Sequence, residues 1–363
     1  MPNEAGAARA PSDHRALMDF RVLDAASPED LARWLALWRR WPRREIQAHP
    51  EYARLFARPC DRVVCAVGED ADGGILFPLL LRPLAAEPWA APGEARLDAV
   101  TPYGYGGPFA WGRRDEEAYW RAHERWCEQE RIVSTFVRLS LFPEQLAELP
   151  GHVEVRSRNI VVPLQGGPEA LWRGYEGKVR RWVQVAERAG LQVELDREGA
   201  RLDDFVRVYT HTMERNGADP WYFFPRAFFA QLVERLAGHF AFFHTLSQGA
   251  VVSSDLVLCS EEHVYYFLGG THADAFPLGP NYLLKHRIAS WAAGEGKQGY
   301  VLGGGYAPGD GLFRYKRAYA RSGEVPFRVG CLVHDERAYV GLVAARTGAG
   351  WSPRPGFFPG YRA

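Results

Sequence analysis

The chain of 363 residues is short of several things, and each shortage excludes something. It has five cysteines, Cys60, Cys65, Cys127, Cys259 and Cys331, scattered and without a C-x-x-C pair. Neither a disulfide framework nor a zinc site is indicated, and a reducing, cytoplasmic setting is expected. No apolar run reaches the roughly 18 residues that a spanning helix needs, so no transmembrane segment is expected. Neither sign of charge is in excess: 44 basic and 44 acidic residues cancel. No global field draws the protein to DNA or an anionic membrane, and only a local patch could hold a polyanion. Lysine is scarce, with Lys178, Lys285, Lys297 and Lys316 among a basic set otherwise made of arginine. The H-E-x-x-H, G-x-S-x-G and Walker patterns are missing, and the eleven histidines lack metal spacing, so no metal site is expected.

What is there reads as a folded protein of two domains or one large one: 47% of residues are hydrophobic and 24% charged. Residues 1–18, rich in alanine, proline and charge, read as a flexible leader. Asp19 to Pro150 reads as an α/β unit, with an amphipathic helix from Ser27-Pro28, a hairpin around Gly68–Gly74, and a second helix over Arg114–Arg131. The pattern restarts after Pro150. One helix is expected from Gly167 to Gly190, with Leu171, Tyr175, Val179 and Val183 on its apolar face. Helices over Leu202–Arg215 and Pro225–Leu236 follow. Then come strands over Phe240–Leu246, Val251–Leu258 and His263–Leu268, a helix over Pro280–Ala293, and a short strand ending in Gly303-Gly304-Gly305. This order predicts an antiparallel meander followed by a crossover helix into a neighbouring strand.

Five segments could carry chemistry. In Tyr103–Pro108, glycines permit positive φ and close approach of a ligand between tyrosine walls, or they make a tight corner with packed aromatics. Lys178, Arg180 and Arg181 form a basic helix face that could hold phosphates or simply be solvated. Arg215, at a helix end before Asn216-Gly217, could reach a phosphate or cap the helix. Gly279 and Asn281 stand at a helix start after a strand, where free N–H groups suit an anion. The fifth segment, Leu302 to Tyr319, joins a glycine-rich strand end to an aromatic-rich stretch with one lysine. Lys316 there could face a developing oxyanion or be an ordinary surface lysine on a strand. Asp310 is either a proton acceptor or a turn former.

The last segment, with its glycine-rich strand end followed by Gly311-Leu312-Phe313-Arg314-Tyr315-Lys316, resembles the Fem-like branch of the GNAT acyltransferase superfamily. That branch includes peptidyltransferases that add amino acids from aminoacyl-tRNA to peptidoglycan precursors. The resemblance covers roughly Phe20 to Arg328. It implies an α/β fold of two GNAT-like acyltransferase domains in tandem around a cleft: residues 19–150 on the acceptor side, completed by about 320–363, and 151–319 on the donor side. By the same resemblance, Lys316 lies near the reacting carbonyl and Tyr103, Tyr105 and Arg215 hold the acceptor; in an acyl transfer, the backbone N–H groups near Gly279, Asn281, Gly303 and Gly304 would shape the donor site. Lys178, Arg180 and Arg181 would touch phosphate or RNA. The expected activity is N-acyl transfer to an amine, such as that of a cell-envelope precursor, with aminoacyl-tRNA or acyl-CoA as donor and no covalently bound cofactor. The rival readings are a CoA-dependent enzyme acting on a small amine, and a binding protein that keeps the fold without the chemistry.

Overall fold

The computed structural model describes residues 18–70, 72–348, 351–352 and 354–362. The expected leader lies almost wholly outside them. The first half contains β1 (Asp19–Asp24), α1 (Pro28–Arg40), α2 (Pro50–Leu55), β2 (Arg62–Glu69), β3 (Gly74–Pro83), β4 (Leu97–Val100), β5 (Phe109–Trp111), α3 (Glu116–Gln129) and β6 (Ile132–Arg138). The Ser27 hydroxyl caps α1 by accepting from the Asp30 amide. The second half contains β7 (His152–Pro163), α4 (Gly167–Gly174), α5 (Gly177–Arg188), β8 (Gln192–Asp196), α6 (Leu202–Arg215), α7 (Arg226–Arg235), β9 (Phe240–Ser247), β10 (Ala250–Cys259), β11 (His263–Thr271), α8 (Pro280–Gly294), β12 (Gly299–Gly303), α9 (Gly311–Arg317), β13 (Glu324–Val333) and α10 (Glu336–Gly348).

The strands form one sheet in the order β1-β2-β3-β4-β6-β13-β7-β12-β11-β10-β9-β8, with β5 on β3. Its two halves mirror each other. Each has a run of antiparallel strands, then a parallel pair, β4 with β6 and β11 with β12. Each half is closed by a strand from outside that run. β13 pairs with β6 and β7 pairs with β12, and these two closing strands pair with each other. The α/β tandem GNAT-like architecture is thus present, built on a continuous sheet.

Alternation along the strands explains the layers. Phe240 and Phe242 pack under α6 and α7, while Ala241 and Phe243 face α5 and α8. A strand buried on both faces reads as a continuous apolar run. Two expectations are corrected. Residues 167–190 do not form one helix: the chain is extended at Tyr175, whose side chain is buried. Arg180 donates to the carbonyl of Tyr175, which ends α4, and the Glu176 carbonyl starts α5. Lys316 is on the short helix α9 and not on a strand.

Candidate active site

β11 and β12 run parallel for only three residue pairs, ending at Tyr265 opposite Val301. Beyond that point they separate. A register shift between Leu256 and Val257 leaves Phe267 as an extra residue in β11, and such bulges re-aim side chains beside functional clefts. The gap opens into a cavity of about 350 Å³ between the two halves, lined by Tyr103, Tyr105, Gly303, Gly304 and Lys316 among others.

Lys316 is 7% exposed, and its Nζ donates to the Gly304 carbonyl at 2.7 Å. Burial, then the neighbouring charge of Lys285, pulls its pKa down to about 7, against the weaker pull of Asp310 and Asp255. Lys285, on α8, is also buried and is paired with Asp255 of β10. Both ammonium groups face the Tyr266 ring, Lys285 at 3.8 Å and Lys316 at 5.5 Å from its centre. Gly303 has φ of +77°, and a Cβ there would stand 3.5 Å from the Lys316 Nζ and 3.6 Å from the Tyr105 hydroxyl. The bare main chain therefore lies between the two groups. Tyr105 receives a hydrogen bond from Asn159 at 3.1 Å, and the Tyr103 carbonyl accepts one from Tyr52 at 2.6 Å. Burial raises both tyrosines, Tyr103 to about 12. Asp310 accepts from the amides of Tyr306, Ala307 and Phe313 and so caps α9; this is the turn-forming role.

The remaining candidates lie elsewhere. The Arg215 guanidinium donates to the Thr271 carbonyl at 2.8 Å and sits over Phe276. Gly279 is buried under Trp182, and a Cβ would meet that ring at 2.9 Å; the close pass and the positive φ explain the glycine. The Asn281 carbonyl accepts from the Tyr315 hydroxyl. Lys178 pairs with Glu176 and Arg181 stacks on Trp182. None of these five, nor Arg180, lines the cavity.

Sequence reasoning missed Arg138, Gln47, Tyr266 and Asn159, which line the cavity, and Lys285 behind it. Lysine scarcity was a signal for Lys285. Nothing local distinguishes Arg138 in an arginine-rich chain.

Residues 174–317 match the family described as Acetyltransferase (GNAT) domain. No curated protein matches the chain. Among solved structures, FemX is similar at 14% identity and a TM-score of 0.63, over 85% of this chain and 97% of that one. A conserved protein of unknown function from Bacteroides thetaiotaomicron VPI-5482 is similar at 13% identity and 0.56, over 87% and 99%. L-PGS from Bacillus licheniformis is similar at 13% identity and 0.53, over 90% and 97%. At these identities the structural likeness is one of fold. Together with the domain match, it supports the Fem-like GNAT resemblance.

Proposed function

We propose that the protein is an N-acyltransferase whose chemistry takes place in the cleft at Lys316. The neutral amine of an acceptor attacks the carbonyl of an activated ester or thioester. A C–N bond forms, and the bond from the carbonyl carbon to the leaving oxygen or sulfur breaks. The proton lost by the amine passes to neutral Lys316 and from it to the leaving group. While it holds that proton, Lys316 is a cation close to the developing oxyanion. The observation that carries this reading is a buried lysine with its pKa near 7 on the wall of a two-lobed cleft. Tyr103 and Tyr105 wall the acceptor side. The donor's acyl end enters between β11 and β12, beside the exposed main chain of Gly303 and Gly304.

An acyl-CoA thioester is the favoured donor. The matched domain is an acetyltransferase domain, and the basic face of α5 is partly spent internally, Arg180 on backbone carbonyls and Lys178 on Glu176. The second reading, aminoacyl-tRNA with an envelope-precursor acceptor, rests on the exposed side chains of Lys178 and Arg181. Thermal shifts with acetyl-CoA and with alanyl-tRNA separate the two. The thioester should stabilise the protein at moderate salt. A shift seen only with tRNA, and lost steeply as salt rises, would favour the second. Unchanged turnover of Lys316→Met on an identified acceptor would overturn the catalytic reading.

A further inference from the structure

Among the described residues, the only acidic or basic side chains lining the cleft cavity are basic, Arg138 and Lys316, and no carboxylate lines it. The nearby carboxylates are engaged elsewhere. Glu45 accepts from His263 and Tyr265 behind the wall, Asp255 is paired with Lys285, and Asp310 caps α9. Arg138 ends β6 on the acceptor side. Its Nη1 donates to the Thr101 carbonyl at 3.1 Å, and its guanidinium lies 5.2 Å from the centre of the Phe136 ring. It makes no ion pair among the described residues, whereas its cationic neighbour Arg82 has Asp98. Burial, then the Arg82 charge, lowers its pKa to about 10, which marks a site short of negative charge. A second observation is independent of charge. Gln47 is 3% exposed and lines the same cavity, and its Oε1 is buried without a hydrogen-bond partner. An orphaned acceptor of this kind is costly unless a ligand supplies the donor.

We propose that Arg138 is the anchor for an oxyanion of the acceptor substrate, a carboxylate or a phosphate monoester, and that Gln47 accepts an N–H or O–H of the same molecule. The planar guanidinium fork suits either oxyanion. The absence of acid from the wall disfavours a purely cationic amine. The acceptor is then an amine that also carries an anion. This inference rests on the reading of Lys316 as the transfer site for the word acceptor, but not for the anion site itself.

The test is isothermal calorimetry at fixed ionic strength with three probes: 4-aminobutyrate, 2-aminoethyl phosphate and butylamine. At least one anionic probe should bind saturably and about ten-fold or more tighter than butylamine, and the preferred one identifies the anion. Arg138→Gln should weaken that binding about 10- to 100-fold, Arg138→Lys less, and Gln47→Leu to a smaller extent. Lys316→Met should retain it, which separates this site from the catalytic reading: loss of turnover with binding intact supports both. If Arg138→Gln does not fold, displacement of the bound anionic probe from the wild-type protein by inorganic phosphate, but not by butylamine, serves instead. Butylamine binding as tightly as the anions, no saturable anion binding, or an unchanged affinity in folded Arg138→Gln would overturn the proposal.

Discussion

The chemistry turns on the proton affinity of one amine. Burial is the largest influence on Lys316 and the Lys285 charge the next. In the proposed step the neutral form takes the proton, so kcat should rise with pH through about 7 and level off above it. A kcat that instead falls above that pH would assign the cation, and not the base, to the rate-limiting step. The buried Lys285–Asp255 pair beside it has a separate signature. Lys285→Met strands a buried carboxylate and should cost roughly 3–5 kcal/mol in urea unfolding, whereas Lys285→Met with Asp255→Leu should recover most of that loss. Gly303 is a third sensitive position, for two reasons. Its φ of +77° makes alanine cost about 1–2 kcal/mol, and the added Cβ would stand between Lys316 and Tyr105. Turnover of Gly303→Ala should fall about ten-fold or more, because about 1.4 kcal/mol of misplacement already costs that much.

Helix α9 carries Lys316 and has only seven residues, too few to hold together on helix propensity alone. Its start is held by the Asp310 carboxylate, which accepts three amides. Asp310→Ala should therefore lower stability by about 1 kcal/mol and lower turnover by loosening the lysine. Asp310→Asn should preserve both, because asparagine also caps well. A large loss of turnover in the asparagine variant, with stability intact, would return the proton-acceptor role to Asp310. Lys285 reaches its partner in β10 from α8, and Gly279 lets α8 begin under Trp182. Elements α9, β10 and β11 thus line one side of the cleft, and α8 backs them through Lys285.

Across the whole molecule, the exchange of closing strands ties the halves together, since β13 and β7 pair with each other as well as with their own halves. Unfolding should then report the sheet as a unit. Two buried histidines in the first half, His49 and His123, make that unit sensitive to acid. Burial pulls both down to about 3, so the unfolded chain binds protons below about pH 6.5 while the folded chain does not. Their contribution is fully present above that pH and is lost as pH falls toward 3. The loss amounts to up to about 1.4 kcal/mol per pH unit for each. Urea midpoints at pH 7, 6 and 5 should fall accordingly, and His123→Gln should flatten the slope.

Much of this protein was legible in its sequence. The apolar runs of β9 to β11, the Ser27 cap, the helices α6 and α8, and the glycine-rich end of β12 with Lys316 beyond it are all local patterns, written in the spacing of neighbouring residues. The order of those elements, with the motif at Lys316, was enough to point to a tandem acyltransferase fold. Tertiary structure decided the rest. It split residues 167–190 at an extended Tyr175, placed Lys316 on a helix, and put Arg215, Gly279 and Asn281 outside the cavity. It also brought in Arg138, Gln47 and Lys285, which no motif marks. The physical reason is the same in each case. Spacing along the chain determines which face of an element is apolar, but burial, pKa and cavity shape depend on strands that meet across more than a hundred residues, and no local pattern records that meeting.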